Sequence, residues 1–287
     1  MSENIPNVIV PPLKCQGIKT KLIPFIRQYA VVPTEGRWIE PFMGTGVVAF
    51  NLAPQHALLT DKNQHIINFY KAIQDGTITP QSARSFLERH GALLAEYGET
   101  YYREMREAFN ECHDPLHFLF LNRADYNGLI RFNRSGAFNV PFCKNANRFS
   151  PAYISKICNQ IAAVRKVMEG KDWDFRYCSW QDTMKRATDK DFIYLDPPYI
   201  GRDTTYVGEW SVEEAVLLSE YAHNTTANIG LSLWKEDEVR RNEHLFTYWS
   251  DFTWYERDHF YHVGPKAENR HPVVEVFAVK QVRGNFT

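Results

Sequence analysis

Cysteine is scarce and scattered in this sequence. Its five thiols, Cys15, Cys112, Cys143, Cys158 and Cys178, form no Cys-x-x-Cys pair. That argues against a zinc ribbon or a disulfide frame, and for a reducing cytoplasm. No apolar run approaches the ~20 residues that span a bilayer. Met1 to Val10 carries neither a basic start nor a small-residue cleavage site, so no membrane or secretory destination is expected. An excess of one charge is also missing. With 33 basic and 34 acidic residues the formal net charge is -1, so any contact with nucleic acid must use a local patch. No Gly-Lys-Ser/Thr follows a glycine loop, which excludes a P-loop. His113 and His117 have metal-ligand spacing but no third ligand, so no metal is expected.

What is present is a chain that alternates, breaks and alternates again. Between residues 13 and 75 the pattern is α/β: a helix over 17–29, strands at 37–40 and 57–60, and helices over 47–52 and 63–73. Residues 76–165 read as mostly helical, with helices over 80–90, 101–111 and 116–124. The helical pattern stops at Tyr126-Asn127-Gly128, and a loop or hairpin runs on to Phe149 with turn signals at Asn133 to Gly136. From Leu119 to Phe149 there are five basic residues, Arg123, Arg131, Arg134, Lys144 and Arg148, against one acid, Asp125. The α/β pattern returns with strands at 175–178, 192–195, 227–233 and 273–279 and a helix over 212–223. The expected fold is an α/β sheet, 1–75 with 166–287, interrupted by a helical, partly basic insertion, 76–165.

Two constellations carry chemistry. Asp196-Pro197-Pro198-Tyr199 follows the apolar strand 192–195. Ligands in open α/β sheets sit at the carboxyl ends of strands. The prolines hold the backbone extended and remove two donors, which leaves carbonyls and the Asp196 carboxylate to accept from a substrate amino group. Tyr199 is placed to stack on a planar base. The second is Pro41-Phe42-Met43-Gly44-Thr45-Gly46, between a strand and a helix. Its glycines allow a tight turn and close approach to a ligand at the helix start. With Ala49 the loop satisfies Gly-x-Gly-x-x-Ala, and Asp61 ends the next strand, where an acid holds a ribose. This loop alone leaves a nicotinamide nucleotide and other adenosyl cofactors open.

Together the two motifs form a signature of amino-methyltransferases, and the chain resembles the Dam-type adenine-N6 DNA methyltransferases, nearest the EcoRV-type enzyme. The resemblance is carried by Pro12 to Lys21, Glu40 to Asn51, Leu119 to Arg123, Tyr126 to Asn133, Phe138 to Phe142, Asp196 to Arg202 and His259 to Gly264. It implies a Rossmann-like sheet that binds S-adenosyl-L-methionine, with the insertion as a target-recognition domain on double-stranded DNA. By resemblance, the segment with Cys15 and Lys19 closes over the cofactor, with Lys19 near its carboxylate. Pro41, Phe42, Gly44 and Gly46 pass under its methionine part, Asp61 takes the ribose, and Ser179 and Trp180 line its adenine. Asp196, Pro197, Pro198 and Tyr199 are the implied catalytic tetrapeptide. The resemblance also places Lys14, Tyr126, Asn127, Leu129, Arg131 and Pro141 on DNA, with Asn133 and Asn139 in the same blocks.

Chemistry agrees with this division. Arg131 can read a guanine and Asn127 an adenine in the major groove, while Arg123, Arg134, Lys144 and Arg148 are expected on phosphates. The expected reaction is methylation of a flipped adenine, at GATATC or else GATC, with a cognate restriction endonuclease as a possible genetic companion. The tetrapeptide itself handles any planar amino group, so cytosine N4 or an RNA amino group remains an alternative acceptor. A silent DNA-binding module is the alternative outside catalysis.

Overall fold

Short β-branched and aromatic runs form the centre of the computed structural model, which describes residues 7–200, 210–238, 240–260 and 272–281. Gly201, Arg202 and residues 261–264, which belong to blocks that carry the resemblance, lie outside the described residues. The strands are β1 (Trp38–Glu40), β2 (His56–Asp61), β3 (Asp172–Tyr177), β4 (Phe192–Leu195), β5 (Asn228–Glu236), β6 (Thr253–Phe260) and β7 (Pro272–Lys280). They make one sheet in the order β3-β2-β1-β4-β5-β7-β6. The pairs β1–β2, β1–β4, β2–β3 and β4–β5 are parallel, and β7 runs antiparallel to both β5 and β6. The strand order reverses at β1, where β4 joins its other side. This is the Rossmann-like α/β arrangement, and the crevice outside such a switch point is where ligands bind.

Helices α1 (Ile23–Tyr29), α2 (Val47–Leu52) and α3 (Gln64–Gln74) cover one face. There Trp38 stacks on Phe192 at 4.9 Å and Phe50 packs on Tyr70 at 5.2 Å. The other face carries Ile39, Ile193, Leu195 and Leu231 against Leu218 and Ala222. Alternation along each strand feeds both layers.

The insertion contains α4 (Pro80–Tyr97), α5 (Glu99–Cys112), α6 (Pro115–Ala124) and α7 (Pro151–Met168). Local chemistry starts them: Thr79 and Ser82 form a capping box on α4, Asp114 caps α6, and Ser150 caps α7, each followed by proline in the first turn. Helix α4 runs past the expected end at 90 because Leu94 is buried and carries the apolar face further, and α7 adds a helix beyond the three expected in the insertion. The buried cluster is continuous from Leu13 and Phe50 through Phe69 into Leu87, Phe109 and Ile157, so the insertion shares one core with the sheet. Three short or peripheral elements were also not anticipated: α8 (Trp180–Met184), α10 (Glu243–Tyr248) and strand β6. Helix α9 (Val212–Asn224) matches its expected span to one residue. No helix among the described residues is long and apolar enough to cross a membrane.

Candidate active site and recognition hairpin

The end of β1 and the end of β4 lie side by side, because Trp38 pairs with Phe192 and Ile39 with Ile193. The glycine loop and the Asp196 tetrapeptide therefore open into the same crevice. In the glycine loop, Gly44 and Gly46 both take left-handed backbone, with φ of 51° and 69°. A side chain on Gly46 would strike Phe50 and Met43, whereas the space beside Gly44 is open. Glycine is thus needed at Gly46 for packing and at Gly44 for backbone shape.

Asp61 fastens this loop. Its Oδ2 accepts from the Gly44 N–H at 2.8 Å and its Oδ1 from the Asn63 N–H at 2.7 Å. Burial nevertheless raises its pKa to about 6, against the two hydrogen bonds. Phe42 lies half-buried over Trp180, ring centroids 6.3 Å apart. Trp180 is buried and donates Nε1–H to Glu214 at 2.8 Å, so it underlies the crevice and leaves Phe42 as the more accessible ring. Ser179 is spent as the cap of α8. Cys15 is half-buried, and Pro41 is buried.

Lys19 reaches the tetrapeptide. Its Nζ sits 2.9 Å from Asp196 Oδ1 and 5.0 Å from the centre of the Tyr199 ring. Burial lifts the Asp196 pKa above its ordinary value, Lys19 opposes the rise, and Glu275 adds to it. Two further acids were not singled out in the sequence. Glu40 ends β1, is 2% exposed and accepts from Trp38 Nε1 at 2.8 Å. Burial carries its pKa to about 8. Glu275 on β7 is 1% exposed and accepts from the Tyr199 hydroxyl at 3.2 Å. A carboxylate inside an otherwise apolar strand, Val-Val-Glu-Val-Phe, was the available signal for the second. Glu40 ends β1, Asp196 follows β4 and Glu275 lies on β7, with Lys19 paired to Asp196. A cationic, carboxylate-bearing nucleoside suits this lining: Asp196 and Glu275 for the cation, Lys19 for the carboxylate, Asp61 for ribose hydroxyls and Phe42 for a base.

The basic stretch forms a hairpin tied by bridges between Asp125 and Phe142 and between Phe132 and Phe138. Tyr126 N–H donates to Pro141 O at 2.9 Å, and Tyr126 stands 55% exposed. Asn127 is exposed in left-handed backbone, φ 62°, next to half-buried Leu129 and exposed Pro141. Arg131 is gripped by Asn139 through Nε to Oδ1 at 2.9 Å and Nη2 to the carbonyl at 3.0 Å. Arg134 and Lys144 are exposed.

Arg123, expected on a phosphate, is 3% exposed and donates to Tyr153 and Gln160 inside the insertion. Its guanidinium is a strut for the hairpin base. Arg148 is half-buried over the Tyr153 ring at 4.6 Å and donates to the Arg123 carbonyl. Asn133 is exposed, but its Oδ1 closes the turn on Ser135 and Ala137. Lys14 is anchored to α6, just before the hairpin: its backbone N–H and carbonyl both bond the Asn122 amide, at 2.7 and 3.0 Å.

A family model described as D12 class N6 adenine-specific DNA methyltransferase matches residues 16–263. The chain is similar to a DNA adenine methylase of Salmonella typhi, 32% identical over 229 residues, 75% of this chain and 76% of the relative. It is also similar to the Type II methyltransferase M1.LlaDCHI of Lactococcus lactis subsp. cremoris, 30% identical over 224 residues, 73% of this chain and 75% of the relative. A DNA adenine methylase of Vibrio cholerae is 29% identical over 231 residues, 77% and 78% of the two chains.

Proposed function

Since the chain belongs to the D12 class N6 adenine-specific DNA methyltransferases, we propose that it uses S-adenosyl-L-methionine to methylate N6 of an adenine turned out of duplex DNA. The observation that carries this reading is the adjacency of β1 and β4, which sets a cofactor-shaped loop beside the Asp196 tetrapeptide. The cofactor, when bound, supplies an electrophilic methyl group on a sulfonium.

The chain's own residues do the rest. Lys19 pairs with the cofactor carboxylate, Asp61 with the ribose, and Phe42, backed by Trp180, with the adenine ring. Pro41, Gly44 and Gly46 shape the floor, Cys15 belongs to the segment that covers it, and Ser179 starts the helix that supports Trp180. On the substrate side, Lys19 occupies Asp196 Oδ1, which leaves Oδ2 to accept a hydrogen of the target amino group. The Pro197 carbonyl takes the other. Adenine N6 is a weak nucleophile because its lone pair is delocalised into the ring. Two acceptors on its hydrogens draw the nitrogen towards tetrahedral geometry and concentrate that pair. Pro198 keeps the carbonyl in place, and Tyr199 stacks on the base. Orientation and charge placement supply the acceleration, with no covalent enzyme intermediate.

Extruding a base costs a few kcal/mol, and stacking on Tyr199 offsets about 1–3 kcal/mol of it. Arg131, Asn127, Tyr126, Leu129, Asn139 and Pro141 read the site, with Lys14 at its edge. Arg134 and Lys144 contact phosphates, while Asn133, Arg123 and Arg148 hold the hairpin in shape. We take GATATC as the target and GATC as the second choice, with a restriction endonuclease of matching specificity encoded nearby and both acting in the cytoplasm.

Methylation of plasmid DNA with Asp196→Ala tests the chemistry. The variant should bind DNA and transfer methyl groups at less than about a tenth of the wild-type single-turnover rate, the scale on which positioned electrostatic groups act. A faster variant refutes the role of Asp196. Long-read sequencing of DNA from expressing cells tests the base and its context together.

A further inference from the structure

Glu275 is a costly residue where it stands. It lies in the middle of β7, between the buried Val273 and Phe277, and is 1% exposed. A carboxylate so buried is tolerated only when hydrogen-bonded or paired. Its strand neighbours show that an apolar side chain fits this strand. The register explains what it faces. Tyr194 pairs with Gly230, Ser232 with Phe277 and Trp234 with Glu275, and the Tyr194 hydroxyl bonds Ser232 at 2.8 Å. Tyr194, Ser232 and Glu275 therefore share one face of the sheet with Asp196, at the end where the tetrapeptide begins. The Tyr199 hydroxyl donates to Glu275 Oε2 at 3.2 Å.

We propose that Glu275 is a positioning residue for methyl transfer, which holds the Tyr199 ring in the plane that receives the target adenine. Pro197 and Pro198 restrain the backbone before Tyr199, but they leave its ring free to turn about χ1. Its packing and polar contacts restrict that freedom, among them Lys19 Nζ against one ring face, 5.0 Å from the centre, and Glu275 at the phenol tip. A ring fixed at both places presents a ready stacking surface beside Asp196. Loss of the contact at the phenol tip widens the range of ring orientations, and the amino group reaches Asp196 less often in reacting geometry. The effect therefore falls on the transfer step, with DNA affinity little changed. The inference rests on the stacking role given to Tyr199 under Proposed function.

The experiment is a double-mutant cycle on single-turnover methylation, read with DNA affinity and with the fluorescence of 2-aminopurine at the target position. Tyr199→Phe and Glu275→Ala should each slow transfer about tenfold, the range for loss of one charged hydrogen bond. The double variant should be no slower than either one, since both remove the same contact. Glu275→Gln should stay within about threefold of wild type, because its amide oxygen can accept the same hydrogen bond. Additive losses, or a wild-type rate for Tyr199→Phe, overturn the proposal. If Glu275→Ala does not fold, Tyr199→Phe against Glu275→Gln decides alone, because the phenol is half-exposed and its loss leaves the core intact. Tyr199→Ala separates the two readings. Full transfer and unchanged 2-aminopurine fluorescence in that variant would remove the stacking role itself, whereas failure of the cycle with an impaired Tyr199→Ala removes only Glu275.

Discussion

Lys19 and Asp196 form an ion pair at the mouth of the crevice, Nζ to Oδ1 at 2.9 Å, with the lysine side chain 4% exposed and the carboxylate 24% exposed. The pair joins the segment assigned to the cofactor with the acid assigned to the substrate. The lysine charge is taken out of water and Asp196 is its partner there, so removing either group leaves the other without its counter-charge.

The pH dependence of activity should follow from this pair. Burial raises the Asp196 pKa and Lys19 opposes the rise. Removal of the cation leaves burial and Glu275 unopposed, so the carboxylate protonates at higher pH. Lys19→Met should shift the acidic limb of the single-turnover rate upward, measured at saturating cofactor. An unshifted limb would mean that another group sets it.

Glu40 should make the fold less stable as pH rises. Its pKa is raised from 4.5 to about 8 by burial, with the Asp196 charge adding to the rise and Trp38 opposing it. The folded chain therefore binds this proton more tightly than the unfolded chain. The corresponding stability is complete below the unfolded value and is lost progressively as pH climbs to about 8. Asp125, raised to about 9 by burial, acts in the same direction. Glu40→Gln is neutral at every pH and should flatten part of the decline seen in urea midpoints across this window. A slope equal to wild type would contradict the assignment.

Asp61 has a structural duty as well as the proposed ribose contact. Asp61→Ala removes the acceptor of the Gly44 and Asn63 N–H groups. At about 1.5–3 kcal/mol per hydrogen bond to a charged group, set against the burial cost that lifts its pKa to about 6, a net loss of about 2 kcal/mol is expected. It should appear as a lower melting temperature together with weaker cofactor binding by calorimetry, with the methylated site unchanged. Weaker binding at unchanged stability would show that the loop stands without this clasp.

The hairpin residues should separate into two classes. Arg131→Ala should cost about 1–3 kcal/mol of discrimination at one base pair. Asn139→Ala should relax the same position, because Asn139 holds the Arg131 guanidinium at 2.9 and 3.0 Å. Arg134→Ala and Lys144→Ala should weaken all DNA alike and flatten the salt dependence by about one unit of slope each. Methylation of every single-base variant of the best site, at two salt concentrations, distinguishes them. Equal loss at all sites for Arg131→Ala would move base reading elsewhere.

Gly128 should tie recognition to the crevice. It adopts φ +68°, and an added Cβ would come within 2.4 Å of the Lys14 side chain. Gly128→Ala should therefore displace either the Tyr126–Leu129 turn or the segment leading to Lys19. Expected is a fall in discrimination between cognate and one-base variant sites, with the melting temperature lowered by the strained backbone. Wild-type discrimination would show that the two segments move independently.

The sequence by itself determined the features that depend on neighbours along the chain. Strand 192–195 and helix 47–52 lie where their apolar runs and flanking glycine or proline place them. The Asp-Pro-Pro-Tyr exit and the left-handed glycine loop are dictated by dihedral limits within a few residues. The insertion helices 80–97 and 151–168 carry capping signals of the same local kind, Thr79 with Ser82 and Ser150, each ahead of a proline. Strand 253–260 could not be read this way. Its sequence, Thr-Trp-Tyr-Glu-Arg-Asp-His-Phe, is polar along half its length, and it is a strand because β7 supplies its hydrogen bonds. Only the tertiary structure decided that Arg123 turns inward and that Asn139 grips Arg131. It alone gathered Lys19, Glu40, Asp196 and Glu275. The three acids come together because the order β1-β4-β5-β7 sets the ends of β1 and β4 near β7 and the pleat turns them to a common face, and Lys19 is brought in from the turn before α1, a distance relationship that no local pattern encodes.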